Sequence, residues 1–290
     1  MSTLNIRKDQ QTHHPPQWTT FLEEHVYHQK SQTGQAISSS MLKEFRNSPA
    51  RYFARITGKI PGKECHAFRI GRAVHKLILE GECAYKASFA IGGPFNLRTG
   101  RSFGPDTKAF RNWVCENGLD PRRVITLSEA YDIACMRESV RRHKGAVELL
   151  GNGWPERSVE AEYRGLPCQV RLDWLTPDNA IVDVKTTRCM DGFEEEARRY
   201  GYLHQFAFYR EIASAAGAAN VRMAAVVVEK KAPFRVCVWQ FPESVLAPYI
   251  AANRETLAQL LRCRETGVWP SGCEAGRTFP PAGIPALWLN

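Results

Sequence analysis

An acid and a base stand where a buried strand would ordinarily be apolar, in the stretch NAIVDVKTTRC, residues 179–189. The three β-branched apolar residues of this stretch predict a strand, because such side chains pack well on a pleated sheet. Asp183 and Lys185 are two residues apart, so both side chains point to the same face of that strand. A salt bridge with no further role and an active site explain this pair equally well.

A second carboxylate, that of Asp173, falls near the end of the preceding predicted strand, CQVRLDWL. The short turn TPDN joins the two strands, so we expect the strands to be neighbours and both carboxylates to reach one cation. Mg²⁺ binds oxygen ligands, and a pair of carboxylates with several waters is a typical coordination for it in proteins. A lysine beside such a site can activate a water molecule or neutralise charge that develops on a phosphate.

Three polar residues on predicted helices could join this site. His75 lies beside the apolar stripe of an early helix, while Gln205 and Tyr209, spaced i and i+4, share a face of the helix after the Asp183 strand. Imidazole, amide and hydroxyl groups could contact a metal, the lysine, a water molecule or a phosphate. Taken singly, each of the three is better explained as a packed polar residue, and only their combination points to a site.

The elements that must position these residues begin with helices and continue with strands. Several amphipathic helices are predicted before residue 151, interrupted by a glycine-rich loop over residues 90–106. From Glu156 the apolar period changes to two, which predicts a hairpin followed by the Asp183 strand. One long helix over residues 190–217, two strands and a final helix complete the pattern. This order predicts an α/β fold.

One predicted domain lies between two less regular ends. Residues 1–36 are rich in Gln, His and Pro, and we expect them to form a mobile N-terminal arm. Residues 37–270 are expected to form the folded domain. Residues 271–290, rich in Pro and Gly, are expected to form an irregular C-terminal tail.

Composition restricts the classes of function. A formal net charge of +9 suggests a polyanionic partner, with nucleic acid first and an anionic membrane second. Neither an apolar run of about 18 residues nor a secretory signal is visible, so we expect a cytosolic protein without a transmembrane helix. Nine scattered cysteines without a CxxC pair argue against a zinc ribbon or a disulfide scaffold. The lack of a nucleophile-elbow motif and of a P-loop argues against an acyl hydrolase and an ATP-driven motor.

Four blocks of the sequence, GRAVH, VRLDW, IVDVKTT and YLHQFAFY, together resemble the PD-(D/E)xK nuclease superfamily. More closely, the chain resembles the RecE-type exodeoxyribonuclease VIII nucleases of phage and prophage recombination systems, over about residues 36–260. The segments SSSMLKEFRNSPARYF, FRIGRAVHKLILEGE and FNLRTG are also similar to that family. The resemblance implies a PD-(D/E)xK nuclease core, an α/β fold in which helices flank a central mixed β-sheet.

The same resemblance implies a role for each candidate residue. The metal contacts would come from Asp173, Asp183, His75 and the main-chain carbonyl of Val184, with Lys185 as the catalytic lysine and Gln205 and Tyr209 as the family's Q-x-x-x-Y element. An additional family glutamate precedes the hairpin. Glu156 is the first choice for it, and Glu160 and Glu162 remain open.

The activity that the resemblance implies is metal-assisted hydrolysis of phosphodiesters, with Mg²⁺ or, as a substitute, Mn²⁺. The substrate would be linear double-stranded DNA, degraded from 5′ ends to leave a 3′ single strand for a single-strand annealing recombinase. A homo-oligomer, in the form of a ring, tetramer or trimer, is expected by the same analogy. The arginines expected to contact DNA phosphates are Arg72, Arg98, Arg101, Arg122, Arg123, Arg141 and Arg142.

Two other functions remain open. A nuclease of the same fold could nick or repair DNA, and a DNA-binding protein could use an inactive nuclease scaffold. The presence of Asp173, Asp183 and Lys185 argues against the inactive scaffold, since a dead site often loses one of these residues.

Overall fold

The computed structural model of the protein describes residues 14–61 and 66–274 of the chain. The α-helices are α1 (Glu24–Gln32), α2 (Ser39–Asn47), α3 (Pro49–Ile56), α4 (His66–His75), α5 (Glu82–Ser88), α6 (Lys108–Glu116), α7 (Leu127–Arg142), α8 (Lys144–Leu150), α9 (Phe193–Tyr200), α10 (Tyr202–Ala215) and α11 (Glu243–Thr266). The strands are β1 (Ala90–Ile91), β2 (Phe95–Asn96), β3 (Arg101–Ser102), β4 (Val124–Ile125), β5 (Trp154–Tyr163), β6 (Leu166–Leu175), β7 (Ala180–Thr187), β8 (Arg222–Glu229) and β9 (Val236–Gln240). A π-helical turn, Lys76–Glu80, follows α4, and a 3₁₀ turn, Pro121–Arg123, precedes β4.

The central sheet has five strands in the order β5-β6-β7-β8-β9. The pairs β5–β6, β6–β7 and β8–β9 are antiparallel, and β7–β8 is parallel. Helices α9 and α10 connect β7 to β8, because two parallel strands need a crossover rather than a tight turn. The predicted α/β fold with a central mixed sheet and flanking helices is confirmed.

Helices cover both faces of this sheet. Apolar side chains of α2, α10 and α11 meet one face in a cluster around Phe206. Those of α4 and α7 meet the other face in a cluster around Met136. Along β7, Ile181 belongs to the first cluster and Val182 and Val184 to the second, as the alternation of a strand requires. The site residues of β7 are therefore fixed between two packed layers.

Two predicted helices differ from the structure beside the candidate site. The long helix predicted over residues 190–217 is two helices, because Gly201 adopts a φ of 72° and ends α9. Glycine reaches this left-handed conformation without the steric cost that a side chain would add. The helix that carries His75 continues as the π-helical turn Lys76–Glu80 instead of as α-helix. Such single π turns are frequent at functional sites.

The described part of the predicted mobile arm, residues 14–36, packs against the sheet. Tyr27 of α1 is buried, and its backbone carbonyl accepts a hydrogen bond from the Gln169 side chain at 2.7 Å. Thr20 and Ser158 exchange backbone hydrogen bonds at the edge of β5. The described residues 14–36 are therefore docked on the sheet, while the arm as a whole stays a prediction. The buried side chain of Tyr27 anchors α1, whose other residues are mostly polar. The composition of the segment does not indicate this contact.

Some predictions fall outside the described residues. These are residues 1–13 of the arm, residues 275–290 of the C-terminal tail, and Cys65. The division into arm, domain and tail stays a prediction. Among the helices described, none combines the length and the apolar character that crossing a bilayer requires.

Candidate active site

Strands β6 and β7 separate at the two aspartates. Their ladder consists of two residue pairs next to the turn, and the pair farther from the turn is Trp174 with Val182. One step further along this register Asp173 would stand opposite Asp183, but the ladder stops there. Instead, Oδ2 of Asp173 accepts the backbone N–H of Val184 at 2.9 Å. We call this opening between the strands, with Asp173 and Asp183 on its two sides, the fork.

Asp183 and Lys185 lie on the side of the fork that faces α10. Nζ of Lys185 is 2.5 Å from Oδ2 of Asp183, whose side chain is 1% exposed. The side-chain amide of Gln205 donates to Oδ1 of Asp183 at 3.2 Å and to the hydroxyl of Tyr209 at 3.0 Å. The structure therefore brings these four predicted site residues into one connected group.

His75 reaches the fork from the opposite face of the sheet. It is the last residue of α4, and its Nδ1 is 3.3 Å from Oδ2 of Asp173. Burial and the positive charge of Lys185 lower the pKa of His75. The neutral imidazole is the form favoured by these two causes, and it is also the form that can bind a metal.

The two carboxylates of the fork repel each other. Burial and the charge of Asp183 raise the pKa of Asp173 to about 7, although Lys185 and the Val184 amide act in the other direction. Burial acts to lower the pKa of Lys185, but the charges of Asp183 and Asp173 outweigh it and hold that pKa above its ordinary value. Lys185 is therefore protonated, and one ammonium serves two carboxylates.

Of the three glutamates that the sequence leaves open, Glu156 is the one that lies at the fork. It stands beside Asp173 at a gap in the β5–β6 ladder, with a φ of 54° that is uncommon for a residue with a side chain. Burial and the charge of Asp173 raise the pKa of Glu156. Glu160 instead pairs with Lys30 at 2.6 Å, and Glu162 is exposed.

Arg171 is a charged neighbour of the fork that is not among the predicted site residues. Its Nε donates to Oε2 of Glu156, and its positive charge acts to lower the pKa of Asp173. Its Nη1 is buried and has no hydrogen-bond partner among the described residues. The signal that could have found it is its spacing, because a residue two positions before Asp173 on a strand shares the face of Asp173.

The donors at the fork fit a hard divalent cation that keeps water ligands. Asp183 Oδ2 is buried without a well-formed hydrogen bond, and its close neighbour is the ammonium of Lys185. No group of three or more His, Cys, Asp or Glu side chains in the described residues could hold a metal by itself. A Mg²⁺-type ion does not need such a cage, because one or two carboxylates, waters and substrate phosphates complete its coordination. A closed structural zinc site does not fit.

The seven predicted DNA-contacting arginines cover a long surface. They lie on α4 (Arg72), in the β2–β3 hairpin (Arg98 and Arg101), in the 3₁₀ turn (Arg122 and Arg123) and at the end of α7 (Arg141 and Arg142). The hairpin contacts the first turn of α7, where the hydroxyls of Ser102 and Ser128 are 3.2 Å apart. The end of α7 is about 20 Å further along the helix at 1.5 Å per residue. The set therefore does not form a single patch.

Comparison with known proteins agrees with the fold. The structure is similar to the crystal structure of a “Putative exonuclease” from Eubacterium rectale, with a TM-score of 0.63, 14% sequence identity, and coverage of 91% of this chain and 99% of that chain. No curated protein matches the sequence. Residues 38–279 match the model of a PDDEXK-like domain of unknown function (DUF3799), so the chain belongs to that family, within the PD-(D/E)xK nuclease superfamily.

Proposed function

We propose that the chain is a metal-dependent exonuclease of the RecE type, which degrades linear double-stranded DNA from its 5′ ends and leaves a 3′ single strand. The observation that carries the proposal is the fork, where Asp173, Asp183 and Lys185 lie together. Membership of a PDDEXK-like family supports nuclease chemistry. The RecE type, the polarity and the role in recombination rest on the resemblance of the sequence blocks.

The metal in this proposal is Mg²⁺, with Mn²⁺ as a substitute. Asp173, Asp183 and the main-chain carbonyl of Val184 would hold it, with His75 beside Asp173. The ion supplies positive charge that activates water and stabilises the phosphate. Gln205 keeps Asp183 in place through its amide.

Lys185 acts as an electrostatic partner of the phosphate in this proposal. Its raised pKa keeps a proton on Nζ, so the ammonium can donate a hydrogen bond to a phosphate oxygen as negative charge grows there. The alternative role, that of a general base, requires the neutral amine. The two carboxylates beside Lys185 disfavour that form.

The charge of the chain supports DNA as the substrate. The formal net charge is +9, and Arg98 and Arg101 are exposed in the β2–β3 hairpin. Guanidinium groups match phosphate oxygens in shape as well as in charge. Two of the predicted phosphate contacts therefore lie on a surface that DNA can reach.

The proposal also includes partners. The 3′ strand would pass to a single-strand annealing recombinase, and the subunits would assemble into a ring, trimer or tetramer in the cytoplasm of a bacterial or phage-infected cell. The sequence resemblance alone supports these statements. Light scattering on the purified protein measures the assembly directly.

Digestion of end-labelled DNA tests the proposal. Linear duplexes labelled at the 5′ or the 3′ ends, and a closed circle of the same sequence, are incubated with the protein and Mg²⁺. We expect 5′-labelled nucleotides to be released first and the circle to stay intact. Cutting of the circle would instead support a nicking or repair nuclease, and binding without any cutting would support an inactive scaffold.

A further inference from the structure

The ammonium of Lys185 lies over an aromatic ring at the start of α10. Nζ is 4.8 Å from the ring centroid of Tyr202 and 5.9 Å from that of Phe206. A lysine ammonium within about 6 Å of a ring centroid is attracted by the negative face of the ring. The attraction strengthens when the cation is shielded from water, and the Lys185 side chain is 14% exposed.

Tyr202 occupies this position because of where α10 begins. Gly201 ends α9 with a φ of 72°, and Tyr202 is the next residue. Tyr202 and Phe206 are spaced i and i+4, so their rings lie on one face of α10, with centroids 6.5 Å apart. The Tyr202 ring is also 6.2 Å from the ring of Phe193. Aromatic neighbours therefore hold the ring in place independently of the lysine.

The hydroxyl of Tyr202 is close enough to Lys185 for the charge of the ammonium to act on the pKa of the phenol. However, none of the hydrogen bonds found in the described part of the chain involves this hydroxyl. The ring and the hydroxyl can therefore be tested separately, because phenylalanine keeps the first and removes the second.

We infer that Tyr202 is a positioning residue for Lys185, whose ring holds the ammonium at the fork where the phosphate would bind. The purpose of this positioning rests on the proposed function, whereas the contact between ammonium and ring does not. The ion pair with Asp183 is one contact of the ammonium, and the Tyr202 ring is another. Without the ring, a lysine side chain with four rotatable bonds would place its ammonium at the phosphate in a smaller fraction of molecules.

Substitutions at Tyr202 test the inference in the full chain. We expect Tyr202→Leu to lower kcat for Mg²⁺-dependent nucleotide release from linear duplex DNA about five- to thirty-fold. KM should stay close to its wild-type value, since one ammonium contributes little to binding of the whole duplex. Tyr202→Phe should retain most of kcat. Tyr200→Leu is the matched control, because it removes an exposed ring 5.9 Å from that of Tyr202 and should leave kcat unchanged.

A second measurement does not depend on activity. The ε-methylene protons of Lys185 should show an upfield ring-current shift in the NMR spectra of wild type and Tyr202→Phe, and lose it in Tyr202→Leu. If wild type shows the shift but cuts no DNA, the proposed function fails and the contact stands. If Tyr202→Leu does not fold, as thermal unfolding will show, the shift in wild type and Tyr202→Phe decides.

Three results would overturn the inference. The first is the absence of the ring-current shift in wild type. The second is a Tyr202→Leu variant with wild-type kcat. The third is a loss of kcat in Tyr202→Phe or Tyr200→Leu as large as that in Tyr202→Leu, because the ring of Tyr202 would then not be the group that acts.

Discussion

Two buried carboxylates share one ammonium at the fork. Asp183 is almost fully buried and pairs with Lys185, and its charge helps to raise the pKa of Asp173 to about 7. Such an arrangement costs stability in the metal-free protein. Sites that bind a cation often carry this cost, because the same repulsion is relieved when the ion binds.

Asp173→Asn should stabilise the metal-free protein. The folded pKa of Asp173, about 7, lies above its ordinary value of 3.8, so the folded state binds this proton more tightly than the unfolded state does. Wild type should therefore lose stability as pH rises from about 4 to about 7. At pH 8 we expect the free energy of unfolding of the variant to exceed that of wild type by roughly 1–3 kcal/mol. Denaturant unfolding at several pH values in the presence of a chelator measures this difference.

Magnesium should stabilise wild type but not the same variant. We expect Mg²⁺ to raise the unfolding temperature of wild type and to have little effect on Asp173→Asn. Asp132→Asn is the control, because Asp132 belongs to a surface ion pair with Lys231. An Asp173→Asn protein that is less stable than wild type at pH 8 would contradict the account of two repelling carboxylates.

At the scale of elements, alternation along strands is local and could be predicted. It predicts β5 to β9 in their order and places Asp183 and Lys185 on one face. The break at Gly201 could not be predicted, because glycine costs a helix only about 1 kcal/mol relative to alanine and packing decides whether the helix continues. The same holds for the π-helical turn Lys76–Glu80 after His75. The break at Gly201 sets where Tyr202 stands at the start of α10. The contact of Lys185 with the Tyr202 ring could therefore not be predicted from the sequence either.

Helix α1 is the element whose docking the sequence does not reveal, and its buried tyrosine provides a test. Tyr27 is 7% exposed, and we expect Tyr27→Ala to lower the free energy of unfolding by about 3–5 kcal/mol. His25→Ala, at an exposed position of the same helix, should change it by less than about 0.5 kcal/mol. Denaturant unfolding of both variants measures the effect. Equal stabilities would mean that α1 is not docked in solution.

At the scale of the whole molecule, the net charge of +9 predicts DNA binding that weakens with salt. The fold brings the predicted catalytic residues together, but it spreads the predicted arginines over several elements. Local sequence patterns therefore predict the catalytic residues better than they predict the surface along which DNA binds. Binding measurements are needed to trace that path.

The double variant Arg98→Ala/Arg101→Ala should bind duplex DNA more weakly than wild type. If each guanidinium neutralises one phosphate, the slope of log K against log salt should decrease in magnitude by about 1.8. Fluorescence anisotropy at several salt concentrations with EDTA, which prevents cutting, measures the slope. Arg222→Ala is the control, because Arg222 pairs with Asp178 at the opposite end of β7 from Lys185. A double variant with the slope of wild type would exclude the hairpin from the DNA contact.

The most direct test of the fork as a nuclease site is the rate of nucleotide release from linear duplex DNA by wild type and Asp183→Asn, each with Mg²⁺ and with EDTA. Asp183→Asn keeps the shape of the side chain and removes the charge that would hold the ion. We expect release by wild type with Mg²⁺, at least about 100-fold slower release by the variant, and none with EDTA. Release by Asp183→Asn at the wild-type rate, or release by wild type in EDTA, would show that the fork is not a metal-dependent nuclease site.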